Sequence, residues 1–335
     1  MIRPRQFWAL AALAALAAAC LVASLLAGSS DLPIGRAWAA LFNGGLSGSG
    51  GLGNSGDELA RTIVRSIRLP RSISAFAVGS LLGLAGVLLQ ALFRNPLADP
   101  YMLGVSGGAA VGALGGMVAG FGLAALQWTA AGGAIVVGVL VLTLGRGADS
   151  GRLLLCGVVL ASACGAIVSL LLAIAENGQL RSMMFWLAGD LGWAQHPWLD
   201  LGAAAVGLSA ALVGGRALNV LAAGELRSAV LGLDARIARP FVFLVAAVLT
   251  TLAVLAAGPV GFIGLIAPHL VRLGLGTSDH RLVAPGAALC GGALLCLADI
   301  ASRTVAAPRQ LPVGAITALL GAPVFLIFLR RNANR

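Results

Sequence analysis

The chain has 335 residues, 59% hydrophobic and only 10% charged, with a formal net charge of +10. Soluble domains carry about a quarter charged residues, so this composition excludes an ordinary soluble protein and points to a polytopic membrane protein with no soluble domain left over. All 22 basic residues are arginine. A GxxxxGK[ST] phosphate loop needs a lysine, so the chain cannot power itself by that route.

A helix needs about 20 apolar residues to cross the hydrocarbon core. Stretches of that kind are predicted near 7–28, 72–93, 101–121, 123–144, 152–175, 198–214, 239–257, 259–275, 283–301 and 312–329. Strand alternation is missing, and backbone groups cannot stay unpaired in lipid. The expected fold is therefore all-α integral membrane, a single polytopic bundle of about ten transmembrane helices over 1–335, with both termini on one side. The 47 glycines, as in GSLLGLAG at 79–86, suit close helix packing in lipid.

Arg3 and Arg5 precede an alanine-rich run ending at Cys20, a pattern shared with signal peptides. The apolar run continues to Ala27, which favours a retained first helix. Arg61, Arg65, Arg68 and Arg71 then cluster before the second span. After it, Asn95–Pro96 and Asp99–Pro100 within QALFRNPLADPYMLGVSGG (90–108) specify a turn, since proline cannot continue a helix interior.

Residues 215–239 form a charged, helix-competent stretch between two apolar runs. Such a connection is either a solvated loop or a docking surface for a partner. Leu226, Val230, Leu233 and Ile237 recur at spacings that place them on one helical face. Gly224 breaks the run, and Glu225 suits the positive N-terminal end of a second short helix.

Asp299 is the one carboxylate well inside a late span, with Arg303 four residues on. The spacing predicts an i,i+4 ion pair, with proton coupling as the sharper alternative. Cys20, Cys156, Cys164, Cys290 and Cys296 lie in apolar spans without metal-ligand spacing and read as packing residues. His196 and His280 fall in connections without ligand-spaced partners, and His269, after Pro268, reads as structural.

With the N-terminus inside, fourteen arginines fall on the cytoplasmic side and eight outside. Most of the eight belong to the 61–71 cluster or are Arg303 and Arg309. They either face an acidic partner or anionic substrate at the external mouth, or anchor in headgroups.

Several long motifs in order resemble the BtuC/FecCD family of permeases, the membrane subunits of bacterial ABC importers for vitamin B12, ferric siderophores and haem. They are RLPR (68–71), the 90–108 segment, LNVLAAGE with LG (218–232), GFIGLIAPHLVR (261–272), DHR (279–281), ADIASR (298–303) and LPVGAITALLGAPVF (311–325). The resemblance covers nearly the whole chain. It implies a homodimer with a central substrate path, two copies of an ABC ATPase on the cytoplasmic side, an external substrate-binding protein and a bacterial inner-membrane location with both termini cytoplasmic. It implies no cofactor, metal or catalytic residue in this chain, ATP and Mg residing on the ATPase, and no nucleic acid.

Residue by residue, the resemblance implies that Leu218, Asn219, Gly224, Glu225, Leu226 and Gly232 lie against the ATPase. Arg68, Arg71 and Arg303 would receive carboxylates of the binding protein. Asn95 and Leu97 match the cytoplasmic gate, with Ser150 in the loop of its second part. Gln310 departs from the glutamate that many relatives carry before LPVG. MMFWLAGDLGWA (183–194) matches an element near the path, so Trp186, Trp193 and Trp198 either contact a large planar ligand or anchor at the membrane interface. The expected function is the translocation subunit of an ATP-driven importer of a metal chelate, a corrinoid or ferric siderophore first, with haem kept open. The alternative is an ion- or proton-coupled secondary transporter, which would need paired intramembrane acids or broken helices at a midplane site.

Overall fold

The computed structural model describes residues 3–28, 32–42, 55–145 and 150–333, and helices dominate it. In chain order they are α1 (Pro4–Leu26), α2 (Ile34–Phe42), α3 (Ser55–Thr62), α4 (Leu69–Phe93), α5 (Val105–Val118), α6 (Leu123–Leu144), α7 (Ser150–Ile174), α8 (Asn177–Leu187), α9 (Pro197–Val213), α10 (Gly215–Ala222), α11 (Glu225–Val230), α12 (Ala235–Ala257), α13 (Ile263–Leu275), α14 (His280–Thr304) and α15 (Val313–Ala333). A π-helical turn, Ile63–Arg68, joins α3 to α4. No strand occurs among the described residues.

Every expected span contains a helix, but not all are full crossings. Among the described residues six helices have the length and hydropathy to span a bilayer, and α9 and α10 form a seventh only as a pair bent by 62°. The expected spans at 101–121 and 259–275 shorten to α5 and α13, of 14 and 13 residues. At 1.5 Å per residue each is about 20 Å long, less than the roughly 30 Å hydrocarbon core. Proline and glycine explain the shortening: Pro100–Leu103 is a 3-10 turn closed by Gly104 at φ 72°, and Gly258 and Phe262 hold φ 64° and 69° before α13. Irregular backbone at such depth must find partners inside the protein. It does so, since Asp190 N–H donates to the Ala257 carbonyl at 2.8 Å and Gly314 N–H to the Gly189 carbonyl at 3.2 Å.

The long helix α4 is the axis of the molecule, buried along nearly its whole length. Its GSLLGLAG segment meets neighbours backbone to backbone. A Cβ on Gly79 would lie 2.2 Å from the Gly291 carbonyl oxygen, one on Gly83 2.3 Å from that of Ala287, and one on Gly86 1.9 Å from that of Gly264. No side chain fits between α4 and α14 at the first two points, or between α4 and α13 at the third. Ser80 adds a direct tie, donating to the Ala288 carbonyl at 2.9 Å. By contrast α6 and α7 turn Val136, Val139, Leu155 and Leu170 outward, which suits an apolar surrounding.

Pro268 lies inside α13 and leaves the Gly264 carbonyl without its helical donor. The buried Gln90 amide of α4 points at the freed group, with Nε2 at 3.5 Å from the Gly264 oxygen and 3.4 Å from that of Leu265. Arg272 donates to the other end of the same amide. One glutamine thus repairs the break in α13 and fixes it to α4.

Candidate functional site

Two polar clusters lie at opposite ends of the α4–α14 axis. The first surrounds Asp299, which is fully buried between two guanidiniums. Arg71 Nε donates to its Oδ1 at 2.8 Å, and Arg303 Nη2 pairs with its Oδ2 at 2.9 Å. The expected i,i+4 pair with Arg303 is therefore present, and Arg71 completes it from α4. Arg71 also donates to the Gln310 side-chain carbonyl at 3.1 Å and stands 3.7 Å from Asp190.

Three more arginines of this end, Arg65, Arg68 and Arg303, are engaged with helix termini. Arg68, 3% exposed, donates to the carbonyls of Leu26 at 2.7 Å and Leu25 at 3.4 Å, at the C-terminus of α1. Arg303, 4% exposed, donates to the carbonyls of Ala27 and Ser24 and to the Ser24 hydroxyl. Arg65 does the same for α2 through the Ala40 and Leu41 carbonyls. Cations at helix C-termini meet orphan carbonyls and the negative end of the dipole, worth about 0.3–1 kcal/mol each and more when partly buried. Gly28 leaves the room: a Cβ there would sit 2.6 Å from Arg68 Nη2. The sequence offered no sign that arginines of this cluster serve as caps.

At the other end, α10 and α11 form an elbow. Gly224 at φ 105° separates them, as expected, and α11 begins at Glu225. The single apolar face expected for Leu226, Val230, Leu233 and Ile237 is not formed. Gly232, at φ 76°, ends α11 and turns the chain, so the four residues fall on α11, a turn and the start of α12. Leu226 and Val230 are each 87% exposed, while Leu233 packs on the core. Leu218 is buried, and Ser228 braces the elbow by donating to the Val220 and Gly224 carbonyls.

Asn219 faces inward to the start of α14. Its Nδ2 donates to Asp279 Oδ1 at 2.8 Å, and its Oδ1 accepts from His280 N–H at 2.9 Å and from His280 Nδ1 at 2.7 Å. Asp279 caps α14 through Arg281 N–H and is held by the Arg281 guanidinium, 2.7 Å at the shortest. That grip keeps its carboxyl well below the ordinary range. His280, expected in a connection, is instead the buried first residue of α14.

Asn95 and Leu97 share one turn: Leu97 N–H donates to Asn95 Oδ1 at 2.9 Å, and Ala98 N–H to the Asn95 carbonyl at 3.1 Å. Leu97 is exposed and Ala98 buried. Arg94, in the left-handed region at φ 51°, ends α4 just before this turn, and its Nη1 lies 3.6 Å from where a Gly224 Cβ would stand. The turn and the elbow therefore adjoin. Ser150 is the first residue of α7. Trp186 is buried and lines a small cavity together with the half-buried Trp193, while Trp198 is 67% exposed. Among the described residues no group of three His, Cys, Asp or Glu side chains could hold a metal.

Residues 16–331 match the profile of the FecCD transport family. The chain belongs to this family. It is 42% identical to the hemin transport system permease protein HmuU of Yersinia pestis, over 81% of this chain and 84% of the relative. To the vitamin B12 import system permease protein BtuC of Salmonella typhi it is 39% identical, with the same coverage of each. A solved transporter assigned to the metal-chelate ABC type, described in an inward-facing conformation, superimposes with a TM-score of 0.82 at 28% identity, covering 97% of this chain and 99% of the other. The PsaBC structure from Streptococcus pneumoniae shares the fold at a TM-score of 0.56 and 15% identity, over 81% and 94% of the two chains. FecCD membership accounts for the motif order, and the two clusters now have a common setting.

Proposed function

We propose that this FecCD chain is the translocation subunit of an ATP-driven importer that carries a metal chelate, haem or a corrinoid foremost, across the bacterial cytoplasmic membrane. It works as a homodimer with two ABC ATPase subunits at the α10–α11 elbow and a substrate-binding protein at the arginine end, with both termini cytoplasmic. The observation that carries this reading is the elbow itself. Leu226 and Val230 project almost fully exposed from a short helix, with Leu231 and Ile237 exposed just beyond it, as an anchor for another protein would. The names of the relatives supply the chemistry of the cargo.

The six elbow residues divide the work. Leu226 meets the ATPase, with Glu225 opening the same helix; Gly224 and Gly232 shape the turns, and Leu218 and Asn219 secure α10 from within. At the other end Arg71 is the docking group of the three arginines, its side chain 12% exposed and reaching the rim through Gln310. A carboxylate of the binding protein would take the Arg71 N–H now given to the Gln310 amide. Arg68 and Arg303 hold Arg71's surroundings in place. Asn95 and Leu97, with Ser150, form the cytoplasmic gate. No cofactor or metal resides in this chain; ATP and Mg bind the partner.

The secondary-transporter alternative needs paired intramembrane acids or broken helices at a midplane site; Asp299 is committed to two guanidiniums and so supplies no free acid for such a pair, which leaves the bent and interrupted helices as that reading's support. Proteoliposomes holding the permease and its ATPase, with the substrate-binding protein supplied on the arginine side, test the choice. Haemin or cobalamin uptake should require ATP and persist without an ion gradient. Uptake driven by a gradient with no nucleotide present would reject the importer reading.

A further inference from the structure

The Asn219 side chain has almost no capacity left for a partner protein. Its carbonyl oxygen accepts two hydrogen bonds from His280, which uses both lone pairs, and one of its two amide protons goes to Asp279. The Asp279 carboxylate is in turn gripped by Arg281, whose Cγ lies 2.7 Å from the position a Gly215 Cβ would take. Gly215 and Asn219 are four residues apart and so share one face of α10. That face is therefore laid against the first turn of α14 through a charged, part-buried knot.

The far part of α14, a helix of 25 residues and about 38 Å, carries Asp299 and Arg303 about 29 and 35 Å from His280 along the axis. Through them it holds the Arg71 side chain of α4 and the end of α1. Between the two ends α14 meets α4 backbone to backbone at Gly79 and Gly291, with no side chain able to yield.

We propose, resting on the importer reading above, that Asn219 is a positioning residue and not an ATPase contact: it locks α10 to α14 so that displacement imposed on the elbow is delivered to the arginine end. The knot is the point where force leaves the elbow, and α14 is the rod that carries it.

The test uses the permease–ATPase complex in lipid nanodiscs, with a spin label at Val305→Cys, an exposed position just beyond α14, in a background lacking the native cysteines. The distance between labels on the two copies is read without nucleotide and after trapping with ATP and vanadate. Wild type should show a nucleotide-dependent shift. Asn219→Ala should keep ATPase copurification and hydrolysis within about twofold of wild type while the shift is lost. Breaking the knot from its other side, Asp279→Ala removes the acceptor of Asn219 Nδ2 and should lose the shift with the ATPase retained, which also answers a single variant that folds poorly. The proposal falls if Asn219→Ala releases the ATPase, if it leaves the shift intact, if wild type shows no shift, or if Asp279→Ala keeps the shift. Should wild type bind no ATPase at all, the importer reading fails before any variant is compared.

Discussion

Asp299 shows how far a single buried charge can organise its neighbours. It holds Arg71 from α4 and Arg303 from its own helix, and those arginines hold Gln310 and the end of α1. Replacing it by alanine strands two guanidiniums in a buried site, so Asp299→Ala is expected to cost about 3–5 kcal/mol, seen as a lower thermal midpoint of the detergent-solubilised protein. An unchanged midpoint would show that water or lipid takes the place of the carboxylate. Gly86 offers the steric counterpart. Its missing Cβ would fall 1.9 Å from a backbone oxygen, so Gly86→Ala should lose about 1–3 kcal/mol or more, whereas the open Gly132 should tolerate alanine. The Asp299–Arg303 pair was legible because i and i+4 fall on one helical face. The capping roles of Arg65 and Arg68 were not, because they depend on helix ends more than twenty residues distant in sequence.

At the scale of the element, proline sets the need and a neighbour supplies the answer. Pro268 frees a carbonyl of α13 and Gln90 of α4 is directed at it. Gln90→Leu leaves that group and Arg272 unmatched, and an expected loss of about 1–3 kcal/mol should appear in thermal unfolding, with little change in Gln90→Asn only if the shorter amide still reaches. The ten apolar runs gave each helix its place in the chain, since hydropathy reports composition. They overstated α5 and α13, because an apolar run continues through Gly104, Gly258 and Phe262 while the backbone does not stay helical. The same cause undid the common face expected for Leu226, Val230, Leu233 and Ile237. Periodicity assumes one continuous helix, and Gly232 ends it. The DHR motif at 279–281 was visible, but its bond to Asn219 bridges some sixty positions and needed the fold.

For the whole molecule, the two ends differ in how they meet a partner. The elbow shows apolar side chains, and the arginine end keeps most of its charge turned inward. Leu226→Asp with Val230→Asp touches no core residue, so the variant should insert and elute as wild type yet no longer copurify with the ATPase; retained copurification would place that contact elsewhere. Arg71→Gln, which sets no second carboxylate against Asp299, should weaken binding-protein docking most at low ionic strength, because partly exposed charges are screened within about 10 Å at 0.1 M salt. A loss of affinity independent of salt would indicate a steric effect instead.

The bare spine-to-spine seam between α4 and α14 has a final consequence. Where the glycines of one helix lie directly on the backbone of the other, neither can roll or ratchet past its neighbour without carbonyl oxygens colliding, so the pair must travel as one stiff beam. Whatever rearrangement opens and shuts a passage has to occur along the beam's flanks, among pliable side chains, and not within it.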